Sequence, residues 1–334
     1  MANQESSIAV IDNNVEVTAK KEDKSQTVTE NVTSHDSDPA VSATSGDGHS
    51  AKVTVTEDAK ATNTSGSATG VEAKSSDTNS STSVTVGGEV SASAEKGSTT
   101  GIRATSETGG SSDVSVGGEV SASSVDGSSY GIQANSTKGS STTVNAEMSV
   151  SATVTKGDSS ATGLNVSASG TGSTTNVTVG DDVSATTSGY TATGVSATAG
   201  SGATVNVKIG DDLTVSSSGG SSGISANAID EKSSVNVTVG GDVSATTTKN
   251  SGYNDFSALN ASTSTDSSVS VTVGGNVTGN GGIYASGSGN TNINVTGNVS
   301  NTSEFGSALT TNTYGDSSSV NVTVGGDVTG NGGI

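Results

Sequence analysis

Valine alternates with polar residues along most of this chain. In Val235-Asn236-Val237-Thr238-Val239 the valines share one face, and Asn236 and Thr238 share the other. A period of two marks a strand, because successive Cβ atoms of an extended backbone point to opposite sides. Two glycines and an acid follow, and the alternation resumes. Val243 and Ala245 face one way, Ser244 and Thr246 the other. After a variable polar stretch a third run alternates again, as in Gly223-Ile224-Ser225-Ala226. Each unit therefore predicts three short strands. A glycine corner separates the first two, and polar loops separate the others.

The unit repeats. Its phrase V-x-V-G-G-(D/E)-V-(S/T) is indexed by the apolar residue after the acid: Val90, Val120, Val150, Val183, Leu213, Val243, Val277, Val299 and Val328. "VTVTEDAKAT" is a worn earlier copy with Ala59 in that place. Successive anchors stand 22 to 34 residues apart, most often 30. A second phrase, G-(I/V/L)-x-(A/V), opens the third run at Gly70, Gly101, Gly131, Gly163, Gly194, Gly223 and Gly282, with a variant at Ala258. A fixed period of this length marks a repeat architecture.

Strands this short, apolar on one face, cannot bury themselves within a unit, but stacked units can. Like residues then form ladders, one through Val86, Val116, Ala146, Val179 and Ile209, another through Ile102, Ile132, Leu164, Val195 and Ile224. The expected fold is all-β: a single-stranded parallel β-helix of about ten coils, each coil roughly 30 residues with three short strands, right-handed by the usual crossover preference. At roughly 4.8 Å per coil the rod is roughly 50 Å long. The corner glycine pairs are read as positions of positive φ. The Glu147-Met148 corner lacks both glycines and is expected to be looser or differently turned. The array is assigned to residues 51–334. Residues 1–50 carry denser charge, with Lys20, Lys21, Lys24 and Pro39. They read as an atypical first coil or two, a cap, or a flexible tail, with Val32 and Ala40 as candidate coil positions.

Composition narrows the classes. Of 334 residues 46 are glycine and one is proline, aromatics make 2%, and hydrophobic residues 28%. That apolar content with a net charge of −20 lies near the disordered class, and the repeat outranks the hint. A tube whose core is one side chain deep needs only Val and Ala, which accounts for the missing aromatics. Cysteine is absent, which excludes disulfides and thiolate chemistry. With 13 basic residues against 33 acidic ones, and Arg103 the only arginine, nucleic acid is not an expected partner. No apolar run approaches the length of a membrane span. The opening "MANQESSIAVIDNN" has no basic n-region and apolar h-region, so no signal peptide is visible.

Tandem "VTVGGDV" and "GI.A" units resemble the β-helix repeats of bacterial secreted and cell-surface rods of adhesin and autotransporter-passenger type. The resemblance covers residues 51–334. It implies an extracellular or surface location, a structural or adhesive role, and a glycan or other cell-surface ligand. Such rods carry many functions, so it is specific for architecture and not for activity. Members usually carry export signals and anchors, and neither is visible here.

Three constellations are candidates for chemistry. At the corner, Glu89, Glu119, Asp182, Asp212, Asp242 and Asp327 hold one ladder position, and Asp181-Asp182 and Asp211-Asp212 double the charge in adjacent coils. Repulsion between Asp181, Asp182, Asp211, Asp212 and Asp242 is relieved either by a weakly held calcium ion or by water along a solvated edge that blocks lateral association. No other cofactor is expected. On strand two, Ser91/Ser93 through Ser244/Thr246 form a hydroxyl grid similar to the Thr-x-Thr faces of ice-binding solenoids. The aromatics Tyr130, Tyr190, Tyr253, Phe256 and Phe305 are expected to precede strand three, with Tyr284 on it and Tyr314 after it. Such rings either stack on sugars or tuck over the tube as loops. Catalysis finds no acid, base or metal to nominate, since His35 and His49 sit in polar loops and Lys208 stands alone among threonines. The expected role is a non-enzymatic rod, with an ice-binding solenoid and a polysaccharide-active β-helix enzyme as alternatives. The text ends inside its own repeated phrase, "GNGGI", at Ile334. The expectation is a piece of a longer array whose uncapped last coil, with Val322, Val324 and Val328, associates end to end or frays.

Overall fold

The computed structural model describes residues 14–248, 257–303, 306–314 and 318–331. These form three parallel sheets of eleven strands each, stacked as a β-solenoid with three strands per turn. No helix occurs among the described residues. One coil shows the plan: strand one is Thr204–Ile209, strand two Leu213–Ser217 and strand three Gly220–Ala228. Each strand pairs with its counterparts one repeat before and after, so Leu213 lies between Val183 and Val243, and Ile224 between Val195 and Leu259. Both ladders expected from the sequence form in register. The side chains named in them are buried, and together with Leu213 of strand two the largest core residues are Ile102, Ile132, Leu164, Ile209, Ile224, Leu259 and Ile283. Fully burying one such side chain is worth about 1.5–3 kcal/mol, while ordering each residue's backbone costs about 1–2 kcal/mol. A lone coil does not offset that cost, and stability accrues through the interfaces between coils.

The stack reaches further toward the N-terminus than the assigned array. Val15–Ala19 pairs with Val41–Ser45, Lys24–Val28 with Ser50–Val55, and Val32–Ser34 with Ala59–Asn63. Val41 in turn pairs with Val71. Residues 14–45 are thus coils of the same solenoid. Ala19, Val32, Val41 and Ala43 are fully buried.

The corner glycines do not have positive φ, contrary to the expectation. That conformation falls instead in the turn between strands three and one, at Thr108-Gly109, Lys138-Gly139 and Ser201-Gly202. The corner requires glycine for close approach. A Cβ at Gly240 would lie 2.0 Å from the Gly210 carbonyl oxygen, and one at Gly274 would lie 2.0 Å from that of Gly240. The chain turns so tightly there that each coil rests its backbone on the backbone below. The Glu147-Met148 corner keeps the first stacking bond, Glu147 N–H to Val116 O at 2.9 Å, as Gly117 does to Val86. The second bond, made elsewhere by Gly118 and Gly241 N–H, is not made by Met148, whose side chain is 42% exposed. That corner turns as the others do and is looser by one bond.

A buried seam of hydroxyls joins strand one to strand three. Ser112, Thr142 and Thr175 point inward where later coils carry Val205 and Val235. Their hydroxyls donate to the carbonyls of Thr105, Asn135 and Ser167 at 2.7, 2.8 and 2.7 Å. A hydroxyl is tolerated in the core because it satisfies a strand-end carbonyl.

Candidate functional site

The corner carboxylates are arranged by hydrogen bonding first. Asp182 Oδ1 accepts the N–H of Asp212 at 2.9 Å, Asp212 Oδ1 accepts that of Asp242 at 2.7 Å, and Asp242 Oδ1 accepts that of Asn276 at 2.6 Å. Asn276 and Asn298 continue the pattern with their amide oxygens, to the N–H of Asn298 at 2.9 Å and of Asp327 at 2.7 Å. Each side chain caps the backbone of the coil above. From Asp182 onward Asp and Asn therefore alternate freely, because these corners use an acceptor on a short side chain and not a charge. The second glycine of the pair makes room for it. A Cβ at Gly241 would lie 2.1 Å from Asp212 Oδ1, and one at Gly275 2.0 Å from Asp242 Oδ1.

Charge accumulates at this edge as a by-product. Oxygens of Asp182, Asp211 and Asp212 lie within 4.8 Å of one another, all exposed. Asp212, then burial, then Asp182, Asp181 and Asp242 raise the Asp211 pKa above its ordinary value. A calcium ion takes about six to eight oxygens, and these three carboxylates supply part of such a shell. Two of the three already hold an amide. Asp181, below Asp211, and Asp242, above Asp212, belong to the same acidic edge but fall outside the close group.

Strand three carries the main surface feature. In the coils from Ala68–Ser75 to Gly220–Ala228 this strand is eight to ten residues long, against five at Val41–Ser45 and Leu259–Thr263. The extra length precedes the glycine of the second phrase. Gly131 and Ile132 are both buried while Tyr130 and Gln133 are not, so the alternation slips by one residue at the glycine. The slip needs glycine, since a Cβ at Gly163 would stand 2.6 Å from Val183 Cγ1 and 2.7 Å from Gly194 O. Outward residues before and after the slip face a common groove of about 450 Å³. Thr162, Thr193 and Ser222 line one side, and Asn165, Ser196 and Ser225 the other. Tyr130 bounds one end, Ser257 and Asn260 the opposite end.

Tyr130 therefore lies within strand three, Ser129–Thr137, and does not precede it as expected. Tyr190 stands immediately before its strand and is 67% exposed; its neighbour Thr191 lines the groove and Tyr190 does not. Tyr284 is on strand three, in the outward ladder of Asn260, and its hydroxyl accepts from Asn312 Nδ2 at 3.3 Å. Tyr253, Phe256 and Phe305 lie outside the described residues. The strand-two hydroxyls form the expected grid in register from Ser91 to Thr246, with Lys60 on the rung before Ser91. His35 Nδ1 meets Thr62 Oγ1 at 2.8 Å, and His49 Nδ1 lies 3.6 Å from Asp23. Neither histidine is near the groove lining. Sequence reasoning missed Thr162, Thr193, Ser196 and Asn260 as a surface. The repeated residue before each second-phrase glycine was the available signal.

No known protein family, characterised protein or solved structure matches this chain. Among the described residues no helix is long and apolar enough to cross a membrane.

Proposed function

We propose that this chain is a non-enzymatic, extracellular or cell-surface rod segment that extends from its attachment and binds surface or glycan ligands along its length. The observation that supports the reading is the coil-on-coil stack, whose outward strand faces are almost wholly polar, carrying hydroxyls, amides, carboxylates and scattered lysines. A core one side chain deep spends most of the chain on surface, which suits a spacer that presents area and does not enclose a reaction. Groups lining the groove are hydroxyls, amides and one phenol, which bind sugars without supplying an acid–base pair.

The test is attachment. Beads coated with the 334-residue chain are laid over glycan-coated surfaces, protein-coated surfaces and cultured cells. The expected result is retention above that of beads coated with an unrelated acidic protein. Retention on none of these surfaces overturns the reading. The in-register hydroxyl grid on strand two favours a second reading, adsorption to ice, which thermal hysteresis with ice shaping would select.

A further inference from the structure

We propose that the strand-three groove is a binding site for an uncharged, unbranched oligosaccharide lying parallel to the rod axis. This rests on the attachment reading above and names the site and ligand class within it.

The first argument is uncommitted hydrogen bonding. On the outward face of strand one, asparagines satisfy one another: Asn206 Nδ2 donates to Asn176 Oδ1 at 2.8 Å, and Asn236 Nδ2 to Asn206 Oδ1 at 2.9 Å. In the groove the side chains of Asn165, Thr193, Ser196 and Ser222 form no such bonds with the described protein. Asn260 Oδ1 is buried and has no partner at all. A buried acceptor left open is costly, and a ligand hydroxyl at that end of the groove would satisfy it once the Asn260 amide rotates toward the groove. The second argument is the aromatic placement. Tyr130 bounds the groove, and Tyr284 lies one rung beyond Asn260 on the same outward ladder. An aromatic ring at the end of a hydroxyl-lined trough suits sugars, whose C–H faces stack on aromatics while their edges hydrogen-bond.

Charge and spacing narrow the class. Among the described residues lining the groove none is charged, and the chain as a whole carries −20. An anionic glycan would find no cation among these lining residues and a repulsive field overall. Rungs of the groove repeat at roughly 4.8 Å, close to the length of one pyranose ring. Thr162, Thr193 and Ser222 therefore offer like contacts to successive sugars of a linear chain.

The experiment titrates the full chain with cellohexaose, maltohexaose, mannohexaose and N-acetylated chitohexaose by calorimetry, with a galacturonic acid hexamer as the charged probe. Variants are Thr193→Trp, which fills the groove at mid-length, Tyr130→Ala, and Thr238→Trp on the exposed strand-one face. All three positions are outward, and circular dichroism confirms folding before titration. The expected result is binding of at least one neutral hexamer, weakened about tenfold in both groove variants, the loss of about one stacking contact, and unchanged in Thr238→Trp. Binding of none of the neutral hexamers, or of the charged one alone, overturns the proposal. Equal affinity in parent and both groove variants also overturns it. If coated beads still attach in either case, the attachment reading stands and another surface carries it. If they attach to nothing, that reading fails independently.

Discussion

Replacing Asp212 separates an acceptor from a charge. Its carboxylate accepts the Asp242 N–H at 2.7 Å and sits beside Asp182 and Asp211. If the corner requires an acceptor, Asp212→Asn keeps the bond, as Asn276 does for the N–H of Asn298 at 2.9 Å. It also removes one charge from the cluster. Asp212→Ala removes the acceptor and leaves that amide to water. Loss of a comparable side-chain cap on a backbone N–H costs about 1 kcal/mol, which lowers local protection about fivefold. Rods of stacked repeats unfold locally as well as globally, so the assay is native-state hydrogen exchange read at the Asp242 amide. The alanine variant should lose about fivefold in protection there, with little change at Val177 or Val295, two coils away on either side. The asparagine variant should match the parent or exceed it. Equal losses in both variants would mean that charge holds the corner, and the capping argument would be wrong.

Core and surface should separate along strand one. Val239→Ala removes two buried methyl groups and should cost about 2 kcal/mol in urea unfolding, while outward Thr238→Ala should change stability by about 0.5 kcal/mol or less; similar effects at the two positions would refute the facing assignment. Gly163→Ala places a Cβ 2.6 Å from Val183 Cγ1 and 2.7 Å from a backbone carbonyl. Overpacking of about 1–3 kcal/mol should outweigh the gain of up to about 1 kcal/mol from a stiffer unfolded chain, so a higher melting temperature would contradict the close-approach account. Asp211 is an acid whose folded pKa is raised, chiefly by Asp212. Its contribution is full below the ordinary value of 3.8 and is lost as pH rises through the raised one. Asp211→Asn should therefore raise the melting temperature at neutral pH, with the gain shrinking as pH falls toward 3.8; a gain independent of pH would sink the explanation.

Strand content, coil stacking and the core ladders were legible in the text because they are local and periodic. Val235-Asn236-Val237 announces a strand by itself, and a recurring phrase aligns Val183 with Leu213 and Val243 before any coordinate is known. Residues 14–45 were harder to read, since Val17, Val32 and Val41 keep the alternation but lose the glycine phrase that marks it.

The tertiary structure decided what meets across coils. The corner glycines are present because one backbone lies on the next, and a single repeat contains only half of that contact. Asp212 caps an amide thirty residues later, so its type shows in the sequence and its partner does not. The groove runs from Tyr130 to Asn260 and exists only when five coils stack in register, with the alternation slipping at each glycine. Residue spelling gives the face a side chain takes within its own strand. Which faces become concave, and which polar groups stay unpaired there, follows from backbone bends and inter-coil packing.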